Sequence, residues 1–447
     1  MILRKAYGSA VVLRALRGQR KVPFLPRQRI EALRDRRIRG IVAHAVRTVP
    51  FYREHFARER LDPREIRGAA DLARLPVLEK DLVRSHPELF LSEARVARGA
   101  LSFLTSGSTG AAMRVHHDRR SVLANIAYGE RERAPLIEAC GTFRPKELYV
   151  GNETSVMRDV SAFYLENTLM PARPRRRFVS VREPVEEVAR LVNSERPDIL
   201  VGYGGWIDLF FKTVAARGIE LDPPKMVMYM AEALPAGGRQ HIEGSFGVRV
   251  MSRYSAAEAF KIGFYCEART GFHLHEDLCH VRVADDRGGT LPPGEAGQIV
   301  ISNLVNRASV LLNYPIGDLG AIGHEPCPCG RTLATLSELE GRVEDIITLA
   351  GGGFVHPRAV WQVFKEDDEV LQYQLTQHDL DRFTLTLTTL DEDAYRRALD
   401  RGLPELQRLL GAGARIESAR GDETAARDGK FRAVASHYRA AGAPSRS

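Results

Sequence analysis

The sequence predicts an α/β protein that has a large first domain and a small α+β domain after it. Its 447 residues, 44% of them hydrophobic, exceed what one hydrophobic core usually holds. Strand patterns alternate with helical patterns between residues 184 and 258, and a separate set of elements follows residue 341. This alternation is typical of α/β sheets, which bind ligands at their strand ends. We therefore assign a large domain to 1–340 and a small mobile domain to 341–447.

The first 95 residues are predicted to be mostly helical. Apolar residues recur at helical spacing through 30–46, and Pro50 then interrupts the pattern. The first 21 residues are basic with a short apolar centre but no small-residue cleavage pattern, which predicts a surface helix and no signal peptide. No run approaches the roughly 20 apolar residues of a bilayer span. We expect a cytoplasmic protein without a transmembrane segment.

The next elements follow from apolar patterns and their punctuation. Helices are predicted at 184–192 and at 206–218, the second stopping at Gly218, and buried strands at 198–203, 225–234 and 248–258. Beyond residue 341, the alternation in 382–390 predicts a strand, 391–410 an amphipathic helix and 414–420 another strand.

The charge balance argues against a nucleic-acid partner. Lysine and arginine number 65 against 57 acidic residues, which gives a net charge of +8. The densest basic stretches, 14–21 and 172–177, lack the interleaved aromatic residues of nucleic-acid recognition motifs. A solvated surface explains them.

A run of small residues at 105–110 is a candidate phosphate-binding loop. Two glycines permit close backbone approach, and the hydroxyl and N–H groups between them suit phosphate oxygens. The run comprises Thr105, Ser106, Gly107, Ser108, Thr109 and Gly110. The lysine of the common nucleotide-binding loop is missing, so a linker explains this segment equally well when it is taken alone.

Four further motifs follow this loop in a fixed order. They are "YSAAE" with Tyr254 and Glu258, "YPIGDLG" with Asp318, "GRVEDIITLAGG" with Arg342, Glu344 and Asp345, and "GKFR" with Lys430. The order and spacing of the five motifs resemble the adenylate-forming enzymes, which include acyl-CoA ligases and the adenylation domains of peptide synthetases. "HAVRTVPFYREHF" at 44–56 and "CPCGRTLATL" at 327–336 resemble the phenylacetate–CoA ligase branch and its capsule-biosynthesis relatives. The resemblance covers nearly the whole chain.

The resemblance implies a role for each motif. The loop at 105–110 would hold the β- and γ-phosphates of ATP, and Glu258 would bind Mg²⁺, which prefers carboxylate and phosphate oxygens. Tyr254 would lie against adenine or the acyl carboxylate, and Asp318 would accept hydrogen bonds from the ribose hydroxyls. Arg342 would contact ribose or phosphate, Glu344 and Asp345 would form the hinge of a C-terminal lid domain, and Lys430 would be catalytic.

The chain departs from the family pattern at several positions. Asn313 occupies a position that is often arginine, and Glu344 stands where the hinge aspartate is usual. The usual proline and lysine after the phosphate loop are absent, and "GYGGWI" at 202–207 replaces a more typical Pro-Ser turn. These changes leave the ATP site intact and make the acyl pocket the less certain part of the resemblance.

The cysteines form a second constellation. There are five, Cys140, Cys266, Cys279, Cys327 and Cys329, and an odd number without an export signal favours thiols or metal ligands over disulfides. Four lie between 266 and 329, and thiolates with an imidazole suit a tetrahedral structural Zn²⁺. With the branch resemblance, the implied ligands are Cys266, His273, Cys327 and Cys329. Nearby alternatives are His275, Cys279, His280 and His324.

The resemblance implies an ATP-dependent ligase that forms an acyl-adenylate from an aryl or similar carboxylic acid. Coenzyme A is the expected acceptor, with a carrier-protein thiol or an amine still open, and a homodimer is an option. One alternative is an adenylyltransferase that leaves AMP on a coenzyme or substrate hydroxyl. Another is a non-enzymatic nucleotide-binding protein of a polysaccharide or secondary-metabolite pathway. Pocket residues are expected at 150–160 and 202–260, but they do not identify the acid.

Overall fold

The computed structural model describes most of the chain. The described residues are 2–94, 97–105, 113–152, 155–169, 175–337, 339, 341–342, 345–365, 367–421 and 431–438. Within these ranges, no helix is both long enough and apolar enough to cross a membrane.

Twelve α-helices occur in the described residues. Those at Arg27–Thr48, Val185–Glu195, Gly204–Ala216 and Glu392–Leu410 agree to within a few residues with helices predicted from the sequence. Pro50 opens α3 directly after α2 ends, and α9 stops two residues before Gly218, whose φ is +61°. The helices are α1 (Ile2–Leu16), α2 (Arg27–Thr48), α3 (Pro50–Arg58), α4 (Lys80–Ser85), α5 (Arg119–Tyr128), α6 (Arg133–Cys140), α7 (Val156–Asn167), α8 (Val185–Glu195), α9 (Gly204–Ala216), α10 (Ala236–Phe246), α11 (Pro357–Phe364) and α12 (Glu392–Leu410).

The described residues also form twenty strands. They are β1 (Leu101–Leu104), β2 (Arg114–His117), β3 (Lys146–Gly151), β4 (Arg175–Ser180), β5 (Ile199–Tyr203), β6 (Met226–Met230), β7 (Arg249–Tyr254), β8 (Gly263–Tyr265), β9 (Phe272–Leu274), β10 (Cys279–Ala284), β11 (Gly297–Asn303), β12 (Tyr314–Gly320), β13 (Thr335–Leu336), β14 (Gly341–Arg342), β15 (Ile347–Thr348), β16 (Phe354–Val355), β17 (Gln372–Gln377), β18 (Arg382–Thr388), β19 (Arg415–Arg420) and β20 (Val434–Ser436).

An eight-stranded mixed sheet forms the centre of the large domain. Its order is β13-β9-β8-β7-β6-β5-β3-β4, and the five strands from β4 to β7 run parallel. All residues of β6 and nearly all of β5 are buried, because parallel strands are covered by helices on both faces. The predicted α/β fold is confirmed, and its strand ends open onto the site described below.

A second sheet brings another part of the chain to the same region. Its four antiparallel strands have the order β10-β11-β12-β14, and β12 carries Asp318 opposite Arg342 of β14. Its apolar side chains share one core cluster with α2, α3 and the central sheet.

The C-terminal region has a core of its own. A four-stranded sheet of order β19-β18-β17-β20 packs with α11 and α12 around Val360, Leu385 and Leu406, which are fully buried. The strands and the helix predicted within 382–420 are confirmed. The division at residue 341 and the mobility of this region stay predictions.

Candidate active site

The predicted phosphate loop begins and ends on a small hairpin. β1 and β2 pair antiparallel, with Leu104 opposite Arg114. Beyond the last pair, the Thr105 N–H donates to the Met113 carbonyl (2.8 Å) and the Met113 N–H donates to Thr105 Oγ1 (2.9 Å). Ser106, Gly107, Ser108, Thr109 and Gly110 lie outside the described residues. Ala111 and Ala112 also lie outside them. Thr105 and Met113, the described residues on either side of this gap, line a large cleft.

The cleft has a volume of about 1720 Å³ and lies between the large domain and the C-terminal region. Its wall includes the ends of β6 and β7, the loop after β7, part of β12 and residues from α11, β17 and β20. This is the position at which α/β sheets bind ligands, beyond the carboxyl ends of their parallel strands.

Tyr254 and Asp318 come together in this cleft. Tyr254 ends β7 in the central sheet, and its hydroxyl donates to Asp318 Oδ2 in the second sheet over 2.8 Å. Tyr254 is buried, so the contact fixes the aspartate against a rigid wall. Arg342 is the strand partner of Asp318 by backbone register, and its side chain lies outside what the structure describes.

Glu258 lies in the loop that follows β7, four residues after Tyr254. The residue is buried and lines the cleft, and its backbone carbonyl accepts from Asn303 Nδ2 (2.9 Å). Burial and the neighbouring Glu258 carboxylate raise the pKa of the Cys279 thiol. The structure therefore brings Thr105, Tyr254, Glu258 and Asp318 to one cleft from three separate segments.

Asp345, one of the two predicted hinge residues, pairs within the C-terminal region. It accepts from Arg432 Nε at 2.6 Å, and both side chains are 13% exposed. Arg432 comes from the "GKFR" motif, so the hinge motif and the last motif are in contact. Glu344 and Lys430 lie outside the described part of the chain.

The predicted metal ligands form a compact cluster. Their ligand atoms all lie within 4.8 Å of one another, and the residues are Cys266, His273, Cys327 and Cys329. Cys266 Sγ is 3.6 Å from Cys327 Sγ, and His273 Nε2 is 3.2 Å from Cys329 Sγ. Among the described residues, the group whose ligand atoms lie this close together consists of these four and does not include the alternatives His275, Cys279, His280 and His324.

The surroundings of the cluster favour the metal-binding form of its histidine. His273 is fully buried in β9. Burial, aided by nearby Arg331, lowers the pKa of His273 to about 4, so the imidazole is neutral at physiological pH. Two thiol groups come from the loop before β13 and one follows β8, which ties three segments together.

An ionic cluster in the cleft wall was not predicted. Arg253 Nε lies 3.0 Å from Glu132 Oε2, and Lys261 Nζ donates to the other oxygen. Burial opposes ionisation of Glu132, but Arg253 and Lys261 together lower its pKa to about 2. These residues belong to distant segments with no motif of their own, so only the structure brings them together.

Asn313 explains one departure from the family pattern. It has a left-handed backbone, with φ of +55°, a conformation that asparagine tolerates well. Its amide donates to the carbonyls of Leu72 (2.7 Å) and Leu75 (3.0 Å). Asparagine here anchors an N-terminal segment beneath the "YPIGD" strand.

The comparisons place the chain among known proteins. No protein-family model matches it. It is 27% identical to a phenylacetate–coenzyme A ligase of Thermus thermophilus over 372 residues, 80% of each chain. It is 21% identical to the phenylacetate–coenzyme A ligase of Escherichia coli over 364 residues, 77% of this chain and 78% of that one.

The fold matches solved ligase structures over nearly its whole length. A 2-hydroxyisobutyryl-CoA ligase in the postadenylation state superposes with a TM-score of 0.71 at 16% identity, covering 93% of this chain and 91% of that chain. The same enzyme in the thioesterification state gives 0.60 at 18% identity over the same shares. In its ordered motifs and its fold the chain is similar to the adenylate-forming enzymes, and the relatives that it matches in sequence are phenylacetate–coenzyme A ligases.

Proposed function

We propose that this protein is an AMP-forming ligase that activates a carboxylic acid as an acyl-adenylate and transfers the acyl group to coenzyme A. The observation that carries the proposal is the convergence of Thr105, Tyr254, Glu258 and Asp318 on one cleft. A coenzyme A ligase activity of the relatives supports the choice of acceptor. Cytoplasmic location, a homodimer and an acyl carrier protein stay predictions.

The residues divide the work of the first half-reaction. A carboxylate oxygen of the acid attacks the α-phosphorus of ATP, and pyrophosphate leaves as the acyl–phosphate bond forms. Asp318, oriented by the Tyr254 hydroxyl, accepts from the ribose hydroxyls, and the loop at 105–110 holds the leaving phosphates. Lys430 neutralises charge at the reacting atoms. Catalysis here is positioning and charge stabilisation, with no covalent role for the protein.

Glu258 is the residue that fits a magnesium ion. Glu258 is buried and lines the same cleft as Thr105 and Asp318. Mg²⁺ is usually held by one or two carboxylates together with substrate phosphates. When bound, Mg²⁺ would neutralise the charge of the phosphates.

We also propose that the cluster of Cys266, His273, Cys327 and Cys329 holds a structural Zn²⁺. Three thiolates and one imidazole fill the four positions of tetrahedral zinc and leave none for a substrate. The four atoms lie close enough to share one ion. Cys266 directly follows β8, which pairs with β7, the strand that ends at Tyr254. The metal would fix the loop before β13 to the edge of the central sheet.

An aryl acid is the substrate class that the lining favours. Tyr149, Tyr229, Tyr265 and Phe272 all border the cleft, and aromatic side chains bury apolar groups well. Because the relatives are phenylacetate–coenzyme A ligases, phenylacetate is the first acid to test.

An ATP–pyrophosphate exchange screen over aryl, fatty and amino acids tests the proposal. Exchange that depends on phenylacetate or another acid, with free AMP released when coenzyme A is added, is the expected result. AMP retained on the substrate in mass spectra would instead identify an adenylyltransferase. No exchange with any acid would contradict a ligase.

Glu258→Gln is expected to lower pyrophosphate exchange about a hundredfold, because it removes a charge partner of the metal–phosphate centre. Glu138→Gln is the control, since that side chain is 63% exposed on α6. Exchange rates at several Mg²⁺ concentrations measure the effect. A normal rate of pyrophosphate exchange in the Glu258 variant would show that Glu258 does not bind the metal.

Tyr254→Phe is expected to raise the KM for ATP roughly tenfold, which corresponds to one hydrogen bond to a charged group. The KM for the acid should change much less, because the lost hydroxyl orients Asp318. Tyr395→Phe is the control, because Tyr395 is a buried tyrosine of α12 and is not among the residues that line the cleft. A larger effect on the acid than on ATP would place Tyr254 in the acyl pocket.

A further inference from the structure

One carboxylate joins the large domain to the C-terminal region. Glu232 follows β6, and its Oε1 accepts from the Phe431 N–H over 2.8 Å. Its Oε2 accepts from the Gly205 N–H over 3.2 Å, in the first turn of α9. A negative charge is favourable at a helix N-terminus, so the glutamate is held on the large-domain side.

Two of the three glycines of "GYGGWI" lie where an added Cβ would be crowded at this contact. A Cβ at Gly204 would lie 2.4 Å from the Ala233 carbonyl oxygen, so no side chain fits there. A Cβ at Gly205 would lie 3.0 Å from Phe431 Cδ1 and 3.1 Å from Glu232 Oε2. Gly205 thus forms a seat for the Phe431 ring, which gives this departure from the family pattern a physical reason.

Phe431 is firmly attached to the C-terminal region. The next residue, Arg432, pairs with Asp345, and the Leu375 N–H donates to the Ala433 carbonyl (2.8 Å). β20 then continues this contact by pairing parallel with β17. A second contact crosses the boundary nearby, where Gln372 Nε2 donates to the Gly205 carbonyl at 3.4 Å.

We propose that Glu232, Gly205 and Phe431 form a latch that holds the C-terminal domain over the cleft during adenylate formation and opens before acyl transfer. Glu232 is a positioning residue: the amide nitrogen that it holds is bonded to the carbonyl carbon of Lys430. The latch rests on the proposed two-step ligase function. It makes the first half-reaction depend on a contact that the second half-reaction does not use.

Glu232→Ala is expected to slow adenylate formation roughly tenfold, the effect of one lost charge-assisted hydrogen bond. The rate is measured as pyrophosphate exchange with the acid most active in the screen. Transfer of a supplied acyl-adenylate to coenzyme A should stay within about twofold of the wild-type rate. Glu232→Gln keeps one acceptor oxygen and should give an intermediate rate.

Matched controls separate the latch from general damage. Asp391→Ala removes a carboxylate cap from α12, where Asp391 accepts from the Ala394 N–H, and it leaves the latch residues intact. Gly205→Ala should reproduce the Glu232→Ala effect, whereas Gly244→Ala, with nothing within 4 Å of its added Cβ, should not.

Hydrogen–deuterium exchange tests the latch without any activity. The Phe431 amide should be protected in the wild type and exchange at least several-fold faster in Glu232→Ala. A wild-type protein without acid-dependent pyrophosphate exchange would refute the proposed function. Hydrogen–deuterium exchange would still report whether Glu232 holds the Phe431 amide. Unchanged protection in Glu232→Ala, or equal slowing of both half-reactions, would overturn the latch.

Discussion

Lys430→Ala and Lys430→Arg are both expected to slow adenylate formation by about two to three orders of magnitude, as the loss of a charge-stabilising group at a reacting phosphate typically does. Transfer from a supplied acyl-adenylate should be much less affected, because the proposed domain rotation would by then have carried the lysine away from the reacting atoms. Rates of pyrophosphate exchange and of thioester formation from the adenylate measure the two steps separately.

The reason lies in the shape of the ammonium group. Lysine is a compact point charge that can reach between the α-phosphate and the acyl carboxylate, whereas the planar guanidinium of arginine is wider. The chain has only nine lysines against 56 arginines, and only Lys365 and Lys430 lie beyond residue 341. Positive charge alone does not explain the lysine of "DGKFR", because this chain supplies positive charge almost everywhere else with arginine.

Lys365→Ala is the matched control, since Lys365 also belongs to the C-terminal region and borders the cleft. It should alter adenylate formation only slightly. Equal loss of both half-reactions in the Lys430 variants would indicate a misfolded C-terminal domain. No loss in either half-reaction would indicate that Lys430 is a solvated surface residue without a catalytic role.

The double variant Cys327→Ser with Cys329→Ser is expected to lose its zinc and to melt roughly 10 °C lower or more, because metal binding at a structural site contributes directly to folding. About one zinc per chain is expected in wild-type protein purified without added metal. Elemental analysis and thermal unfolding of both proteins make the measurement.

Cys140→Ser provides the control for this substitution. Cys140 is a buried thiol at the end of α6, outside the four-residue cluster. Its variant should keep the zinc of the wild type. A wild-type protein that is free of metal and fully stable would contradict the zinc site.

The motifs identified residues more reliably than contacts. Tyr254 and Asp318 were each predicted to meet the nucleotide, but nothing in their spacing predicted that one would donate a hydrogen bond to the other. They lie 64 positions apart on strands of different sheets, and a strand pattern says nothing about which sheets meet. The four candidate metal ligands were implied by the resemblance to the ligase branch, and the structure brings their ligand atoms within 4.8 Å of one another.

Polar contacts without a motif could not be foreseen. The side-chain amide of Asn313 donates hydrogen bonds to two backbone carbonyls of the 72–75 segment. Glu132 pairs with Arg253 and Lys261, which lie more than a hundred residues further along the chain. Single asparagine, glutamate, arginine and lysine residues usually lie in solvent, so the sequence gives no signal that these particular ones are buried and paired. Their burial becomes visible only when the segments pack.

The sequence by itself determined the α/β class, the helices α8 and α9, the strands β5, β6 and β7, and the elements of 382–420. These follow from hydrophobic period, which is a local property. The residues of the candidate nucleotide and metal sites came from the resemblance of the motifs to a known family. The tertiary structure alone decided the strand order, the pairing of Tyr254 with Asp318 and the seat of Phe431 on Gly205. Each of these features requires that segments distant in sequence come into contact. Which segments do so depends on how the apolar faces of whole helices and sheets are buried against one another.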